Sequence, residues 1–246
     1  VRGGCESSAW ARVAFRCGGM GHSACLGARH HVGAGIDGTD AGLNRVEYAD
    51  AAPNGDVLVI GHESLSLVER VGDGVTGVHP GDLVVSTVRR PDGCPNCRAG
   101  ESDMCLTGGY TERGIKGAHG YMADYYSEKP EFMVKIPAAL RAFAVLLEPL
   151  SIVEKATTQA WEAQKRLLWQ PKRAVVLGAG PIGILATILL RPRDLEVQLC
   201  AKTAADSLQA RVAQPFATVL QRAQPTPHAA LPPRPAHTAS SPDCPS

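Results

Sequence analysis

The sequence predicts an α/β plus β fold, with an all-β domain first and an α/β domain built on one βαβ unit second. Between residues 32 and 137, short apolar and β-branched runs alternate with Gly, Pro and Asp, which is typical of a compact β barrel. From residue 138 helix-forming residues dominate, and a strand, a glycine-rich loop, a helix and a strand follow within residues 173–200. A chain of 246 residues suffices for one large domain or two small ones.

Composition argues against several classes of partner. The formal net charge is +1, which provides no electrostatic basis for binding nucleic acid or an anionic membrane. No apolar run reaches the roughly 18 residues of a membrane span, and residues 1–31 lack the apolar core of a secretory signal. Three of the eight cysteines cluster at Cys94, Cys97 and Cys105, which favours metal binding in a reducing compartment over disulfides. We therefore expect a cytoplasmic protein.

In the first domain, strands are predicted at residues 56–60 and 83–88, where apolar, β-branched residues are bounded by turn-forming ones. Two further strands are predicted at residues 120–127 and 132–136. Residues 1–31 show neither a period of 2 nor one of 3.6, so they are set apart as an atypical N-terminal segment.

In the second domain, helix formers fill residues 138–169, and Pro149 fits the first turn of a second helix. Residues 206–246 are rich in Pro, Ala and Ser and predict a disordered tail. The βαβ unit is predicted as strand 173–177, helix 184–190 and strand 196–200. The predicted segments are residues 1–31, 32–150, 151–205 and 206–246.

A glycine motif, Gly178-x-Gly180-x-x-Gly183, lies between the first predicted strand and the helix of the βαβ unit. Alone such a motif is a weak signal, but this is the setting that dinucleotide binding requires. The glycines let backbone N–H groups approach a pyrophosphate at the positive end of the helix. The alternative is a glycine-rich turn of another α/β protein. The predicted cofactor-binding residues are Gly178, Ala179, Gly180, Pro181, Ile182 and Gly183.

The residues that would contact the ribose are not acidic. About 20 positions after the motif, an Asp or Glu would bind the ribose hydroxyls of NAD. This chain has Cys200, Ala201 and Lys202 there. Lys202 is therefore predicted to face the 2′-phosphate of NADP, although a solvated lysine and the use of NAD are alternatives.

Possible metal ligands occur at several places. His62 and Glu63 follow a predicted strand end, where Gly61 permits a turn, although such a pair alone is usually unremarkable. Glu148 lies among apolar residues and needs a partner, which could be a metal or the N-terminus of a helix.

Cys94-x2-Cys97-x7-Cys105 resembles a tetrahedral zinc site that is one ligand short. Pro91 occupies the position three residues before Cys94, and Asp92 is nearby. The alternative is three free thiols.

Together these motifs resemble the zinc-dependent medium-chain dehydrogenase/reductase family from about residue 32 to about residue 202. Gly61-His-Glu and the glycines and proline after it match the family's zinc signature, although Ser66 stands where the family usually has Gly. The resemblance implies a GroES-like β-barrel catalytic domain followed by a truncated Rossmann domain. It is closest to the glucose 1-dehydrogenase branch in residues 87–90, 103–105, 110–115, 119–122 and 146–151.

The resemblance also implies roles for individual residues. Catalytic zinc would be held by Asp37, His62, Glu63 and Glu148, the last two also acting in catalysis. Thr39 would link substrate to solvent as a catalytic residue. Substrate binding would involve Thr39, Thr87, Glu112 and Glu148. Cys94, Cys97 and Cys105 match three of the four ligands of a structural zinc.

The implied function is zinc-dependent oxidation of an aldose at C1 to the lactone, with hydride transfer to NADP or NAD. The alternatives are a polyol or secondary-alcohol dehydrogenase and an inactive fragment that at most binds zinc. Because residues 1–31 and 206–246 do not match the family, we expect an incomplete or frame-shifted copy. The family's homo-oligomer is accordingly not expected for it.

Overall fold

The computed structural model describes the backbone of residues 11–14 and, in full, residues 33–45, 50–52, 57–168 and 170–221. Most of the atypical N-terminal segment and residues 222–246 of the predicted tail lie outside the described residues. The chain divides into two compact units, residues 1–162 and 163–246, and each is described by itself.

The first unit is mainly β. Its strands are β1 (Ala11–Ala14), β2 (Gly33–Ala34), β3 (Ser64–Val71), β4 (Leu83–Ser86), β5 (Arg89–Arg90), β6 (Thr111–Arg113), β7 (Gly117–Ala118), β8 (Tyr125–Glu128) and β9 (Met133–Lys135). Helices α1 (Gly38–Asn44) and α2 (Pro95–Arg98) lie between strands, and α3 (Leu147–Gln164) follows them. Single 3₁₀ turns occur at Ser102–Met104, Pro130–Phe132, Ala138–Leu140 and Ala144–Leu146.

Six strands form one antiparallel sheet in the order β8-β1-β3-β4-β9, with β2 paired to β3. The strands β5, β6 and β7 form a separate small sheet. In the main sheet Ser66 lies opposite Val84, and Val85 lies opposite Val134. The predicted strands at 83–88, 120–127 and 132–136 correspond to β4, β8 and β9, and each observed strand is shorter than predicted.

The core of the first unit consists of two apolar clusters on this sheet. One contains Val68, Val84, Val78, Tyr121, Tyr126 and Met133, and the other contains Leu65, Leu83, Val85, Ile136 and Ala144. Buried serines accompany them. The Tyr126 hydroxyl donates to Ser66 Oγ at 3.1 Å and lies 2.9 Å from Ser86 Oγ. These bonds satisfy polar groups that would otherwise be costly to bury, so the serine at position 66 has a structural partner.

The prediction of a strand at 56–60 is wrong for residues 57–60, and the strand β3 was not predicted. Residues 59–61 do hydrogen-bond to residues 120–122, with Gly120 N–H to Val59 O at 2.6 Å and Tyr121 N–H to Gly61 O at 2.8 Å. Gly61 has φ of +96°, which breaks the regular ladder. His62 and Glu63 therefore lie just before a strand rather than just after one.

The second unit contains three parallel strands in the order β10 (Arg173–Leu177), β11 (Glu196–Ala201) and β12 (Thr218–Gln221). Helix α4 (Pro181–Leu190) connects the first two, and α5 (Leu208–Ala213) connects the last two. Leu199, Ala201 and Ala213 are buried between the sheet and α5. The βαβ prediction is therefore confirmed.

Residues 206–221 differ from the predicted tail. Ser207 Oγ accepts the N–H of Ala210 at 3.2 Å and caps α5, and β12 pairs with β11 along four residues. The proline-rich stretch begins only after β12. The average composition of residues 206–246 therefore obscured the N-cap signal of Ser207 at the start of α5. In the part of the chain that the structure describes, no helix has both the length and the apolarity to cross a bilayer.

Candidate functional site

Helix α1 fixes two aspartates at its N-terminus. Asp37 is the N-cap, and its Oδ1 accepts the N–H groups of Thr39 at 2.7 Å and Asp40 at 3.2 Å. In return, Asp40 Oδ2 accepts the N–H of Asp37 at 3.1 Å. This reciprocal capping box holds both carboxylates in place, Asp37 exposed and Asp40 buried.

His62 and Glu63 are buried, 4% and 7% exposed, at the turn that precedes β3. Glu63 occupies space that only glycine at position 35 leaves open, because a Cβ there would lie 1.4 Å from Glu63 Oε2. The Gly35 N–H also donates to the Glu63 carbonyl at 3.3 Å. Gly35, before α1, and Glu63, before β3, are therefore in close contact beside the imidazole of His62.

The imidazole of His62 lies among four carboxylates. Its Nε2 is 3.8 Å from Asp37 Oδ1, and its Nδ1 is 3.7 Å from Asp40 Oδ1. Glu63 and Glu148 each place an oxygen within 4.8 Å of a ring nitrogen and of one another. Among the described residues, neither Asp40 Oδ1 nor His62 Nδ1 has a hydrogen-bond partner although both are buried.

Burial shifts the acidity of the two glutamates. It raises the pKa of Glu63, with further contributions from Asp37 and Asp40, while His62 opposes the shift. Burial likewise raises the pKa of Glu148 to about 7. A cluster with several carboxylates and one imidazole has an excess of negative charge, which a divalent cation would neutralise. One imidazole and several carboxylate oxygens suit zinc but select less strongly against other divalent ions than thiolates do.

The four residues proposed for this metal fall into two groups that share His62: Asp37 lies with Asp40 and His62, and Glu63 and Glu148 lie with His62. Sequence reasoning gave no role to Asp40, although the Asp-x-x-Asp spacing of a capping box was available as a signal. The alternative that Glu148 caps a helix is wrong, because α3 begins at Leu147 and places Glu148 inside its first turn. Pro149 also lies in that turn, as predicted.

Three other predicted site residues make contacts of different kinds. Thr39 contacts Asp37, since its hydroxyl donates to Asp37 Oδ2 at 3.1 Å. Glu112 on β6 is instead paired with Arg89, whose Nε and Nη2 donate to Oε1 at 3.0 and 2.7 Å. The exposed Thr87 is anchored through its carbonyl, which accepts the Tyr121 hydroxyl at 2.6 Å.

A second group of possible ligands contains Asp92, Cys94, Cys97 and Cys105, and we call it the cysteine cluster. Backbone N–H groups of Cys97 and Leu106 lower the pKa of Cys94 to about 7, whereas burial raises the pKa of Cys97 to about 11. Hydrogen bonds from Thr107 and from the Cys94 N–H hold the pKa of Asp92 well below its usual range. The three predicted cysteines are therefore close together, and Asp92 lies with them.

The glycine motif of the second unit has the local geometry that its sequence predicts. Gly178 has φ of +103°, and Gly180 is the N-cap of α4, with Pro181 in the first turn. A Cβ on Gly183 would lie 1.9 Å from the Gly178 carbonyl oxygen, so helix and loop pack too closely for a side chain. No heavy atom lies within 4 Å of a Cβ built on Gly180, which leaves open space in front of the helix N-terminus. Ala179 is buried and Ile182 is exposed.

Lys202 directly follows the last residue of β11, Ala201, and is exposed. Its neighbour Thr203 has a shielded hydroxyl that lacks a hydrogen-bond partner among the described residues. Sequence reasoning missed Thr203, because a threonine after a strand carries no signal of its own. Together the two residues offer an ammonium group and a hydroxyl at the carboxyl end of β11.

Two family models match successive parts of the chain. The alcohol dehydrogenase GroES-like domain matches residues 30–138, and the glucose dehydrogenase C-terminus matches residues 141–233. A glucose 1-dehydrogenase of Methanocella arvoryzae is 52% identical over 183 residues, which are 74% of this chain and 51% of that protein. One from Caldivirga maquilingensis is 45% identical over 179 residues, 72% of this chain and 50% of that protein.

The chain belongs to the zinc-dependent medium-chain dehydrogenase/reductase family, in its glucose dehydrogenase branch. It spans about half the length of the curated relatives that it matches. The solved structure of Haloferax mediterranei glucose dehydrogenase in complex with NADP, Zn and gluconolactone is similar to this chain. The match covers 90% of this chain and 58% of the Haloferax protein. The TM-score is 0.72 at 29% identity. The predicted combination of a GroES-like domain and part of a Rossmann domain is confirmed.

Proposed function

We propose that this chain forms the metal-binding and nucleotide-binding part of an aldose dehydrogenase. In the proposed reaction, the C1 hydroxyl of a cyclic aldose such as glucose is oxidised to the lactone, and NADP accepts the hydride. The observation that carries the proposal is that His62 belongs to two groups of possible metal ligands in the first unit, one with Asp37 and Asp40 and the other with Glu63 and Glu148. The structure of the Haloferax mediterranei relative in complex with NADP, Zn and gluconolactone supports the proposed metal, cofactor and product.

Zinc would be held by His62 together with oxygens of Asp37, Glu63 and Glu148. It would supply Lewis acidity, which makes a sugar hydroxyl easier to deprotonate near neutral pH. Asp40 is assigned the task of orienting the imidazole, since a carboxylate beside the second ring nitrogen fixes the tautomer of a ligating histidine. Burial of His62 and Glu63 keeps water away from the inner side of the site.

Thr39 is assigned to proton transfer. Its hydroxyl donates to Asp37 Oδ2 at 3.1 Å, and Asp37 is exposed. A proton accepted by Thr39 from a sugar hydroxyl therefore has a route to a carboxylate that water can reach. Glu148, whose pKa burial raises to about 7, is a second group able to exchange a proton near neutral pH.

Glu112 is assigned to sugar binding. Nε and Nη2 of Arg89 both donate to Oε1, which fixes the carboxylate, and Oε2 would accept a sugar hydroxyl. Such a carboxylate discriminates against analogues that lack the hydroxyl, because it would then lack its partner. Thr87 on the neighbouring segment is assigned a further hydroxyl contact.

The nucleotide is assigned to the second unit. The N-terminus of α4 and the open space at Gly180 suit a pyrophosphate, and Gly178, Ala179, Pro181, Ile182 and Gly183 complete the loop. Lys202 and Thr203 would bind the 2′-phosphate that distinguishes NADP from NAD. If so, Lys202→Ala lowers the ratio of NADP to NAD affinity, and an unchanged ratio would exclude a role for Lys202.

The experiment that tests the proposed function assays the zinc-loaded chain with glucose and NADP. The expected result is formation of NADPH and of lactone, both lost in His62→Ala together with bound zinc. Unchanged zinc content in His62→Ala would refute the metal assignment. Sorbitol and secondary alcohols are the competing substrates, and turnover of these without glucose turnover would favour the polyol or alcohol alternative. Zinc binding without any turnover would favour the non-catalytic alternative.

A further inference from the structure

Strand β5 consists of two arginines, and each contacts a residue that the proposed function assigns to the sugar. Arg89 donates to the carboxylate of Glu112, and Arg90 donates to Thr87. We propose that the two arginines are positioning residues that set the hydrogen-bond polarity of the sugar site. Glu112 is held as an acceptor, and Thr87 is held as a donor. This role rests on the proposed function, which brings both residues into contact with sugar hydroxyls.

Arg89 holds the Glu112 carboxylate through several contacts. The two residues are opposite each other in the β5–β6 pair, and Nε and Nη2 donate to Oε1 at 3.0 and 2.7 Å. A third nitrogen, Nη1, donates to the carbonyl of Ser102 at 3.1 Å, and the guanidinium carbon lies 3.9 Å from the centre of the Tyr110 ring. These contacts restrict both side chains. An ionised carboxylate beside a guanidinium accepts hydrogen bonds and cannot donate them.

Arg90 holds Thr87 through both its carbonyl and its hydroxyl. Nη1 donates to the Thr87 carbonyl oxygen at 2.9 Å and, over a longer 3.4 Å, to Oγ1. The same carbonyl accepts the Tyr121 hydroxyl at 2.6 Å. Nη2 of Arg90 donates to the buried carboxylate of Glu128, and the guanidinium carbon lies 4.1 Å from the centre of the Phe132 ring. Because arginine has no acceptor, the Thr87 hydroxyl oxygen accepts this bond and its proton is available to a sugar oxygen.

Both residues held by the arginines are connected to the segment that carries His62. Directly after β6, a Cβ on Gly114 would lie 2.3 Å from the carbonyl oxygen of Gly61, the residue before His62. The Gly61 carbonyl also accepts the N–H of Tyr121 at 2.8 Å, and the Tyr121 hydroxyl is the group that donates to Thr87. The sugar-contacting residues are therefore packed against the segment of a proposed metal ligand.

Fixed polarity has a consequence that a merely structural role of the arginines lacks. A fixed acceptor requires a hydroxyl that donates, so replacing that sugar hydroxyl by hydrogen or by fluorine removes the bond in either case. A fixed donor requires only an acceptor, and fluorine retains part of that property whereas hydrogen does not. Changing arginines that merely stabilise the sheet would instead weaken the binding of every sugar equally.

The test measures, by NMR titration, the affinity of the zinc-loaded chain for glucose and for its deoxy and deoxyfluoro analogues at C2, C3, C4 and C6. At one position both analogues should bind at least about fivefold more weakly than glucose. At another position the deoxyfluoro sugar should bind more tightly than the deoxy sugar. Glu112→Gln should make fluorine tolerated at the first position, because an amide also donates, and Thr87→Val should remove the difference at the second.

The arginines themselves are tested with Arg89→Lys and Arg90→Lys, which keep the charge but lose the planar set of donors. Arg89→Lys should weaken glucose binding at least about threefold and leave the affinity for the analogues at the first position unchanged. Arg90→Lys should act in the same way at the second position. The matched control is Arg98→Lys on α2, where the exposed arginine donates to the Gly93 carbonyl, and it should change no sugar affinity.

Equal loss of affinity for glucose and for every analogue in Arg89→Lys would overturn the inference. So would a parent chain that binds deoxy and deoxyfluoro sugars equally at every position, or that binds no glucose. NADPH formation is recorded in parallel to keep the proposed function separate. Glucose binding with the expected discrimination but without NADPH would contradict the proposed reaction and support the polarity, whereas NADPH formation with equal losses would contradict the polarity alone.

Discussion

Asp40 Oδ1 lies 3.7 Å from His62 Nδ1, and within the described parts of the chain neither buried atom makes a hydrogen bond. The distance is too long for a hydrogen bond, but a small rotation of the imidazole would close it. A histidine that binds metal through Nε2 normally donates its other N–H to a carboxylate. This geometry supports the proposal that His62 is a metal ligand and Asp40 its orienting partner.

We expect Asp40→Asn to weaken zinc binding at the proposed catalytic site by about 10–100-fold, because the amide orients the imidazole less strongly. The variant should keep its helix cap, since the N-cap Asp37 is unchanged and the side-chain oxygen of Asn at position 40 can still accept the Asp37 N–H. Affinity is measured by competition with a zinc chelator. Asp73→Asn, at an exposed turn of the same unit, is the control and should leave affinity unchanged. Equal affinity in Asp40→Asn and the parent chain would contradict the assignment.

Gly35→Ala should displace Glu63, because a Cβ at position 35 would lie 1.4 Å from Glu63 Oε2 and 2.9 Å from its Cβ. We expect a loss of zinc affinity together with a destabilisation of about 1–3 kcal/mol from overpacking. The matched control is Gly38→Ala, three residues later. No atom lies within 4 Å of a Cβ built there, and alanine favours the helix that Gly38 begins. Chelator competition and chemical denaturation measure both variants, and a Gly35→Ala chain with normal zinc affinity would refute the explanation.

The free energy of unfolding of the zinc-free chain should fall as pH rises from about 5 to about 7. Burial raises the pKa of Glu148 from 4.5 to about 7, so in this range the folded chain holds a proton that the unfolded chain has released. This contribution to stability is complete below pH 4.5 and is lost as pH rises through about 7. Urea denaturation at a series of pH values measures the slope.

Glu148→Gln should flatten this slope, whereas Glu154→Gln, at an exposed position of the same helix, should not. Zinc should act in the opposite direction, because its binding requires the ionised carboxylate and therefore stabilises the chain more as pH rises. A parent chain whose zinc-free stability increases between about pH 5 and pH 7 would show that Glu148 does not dominate this range.

The sequence predicted the elements of the second unit better than those of the first, for physical reasons. The strands β10 and β11 and the loop between them depend on local signals, namely an apolar run, three glycines and a helix start. The strand β3 was not predicted, because Ser64 and Ser66 look polar in sequence and are buried only through partners such as Tyr126, 60 positions away. Asp40 was missed for a similar reason, because its proposed role depends on the proximity of His62, which is 22 positions away in sequence.

Gly180 and Gly183, at the start of α4, should respond differently to substitution by alanine. Gly183→Ala should destabilise the second unit by about 1–3 kcal/mol, because its Cβ would lie 1.9 Å from the Gly178 carbonyl oxygen. Gly180→Ala should leave stability within about 1 kcal/mol, since Gly180 has φ of −75° and no atom within 4 Å of its Cβ position. The new methyl group would nevertheless occupy the space in which a pyrophosphate approaches the backbone.

Thermal denaturation and NADP titration, carried out on both variants, distinguish these effects. For Gly180→Ala we expect a melting temperature close to that of the parent chain and at least a tenfold loss of NADP affinity, about 1.4 kcal/mol. For Gly183→Ala we expect the melting temperature itself to fall. If Gly180→Ala binds NADP as tightly as the parent chain does, the pyrophosphate does not lie at the N-terminus of α4.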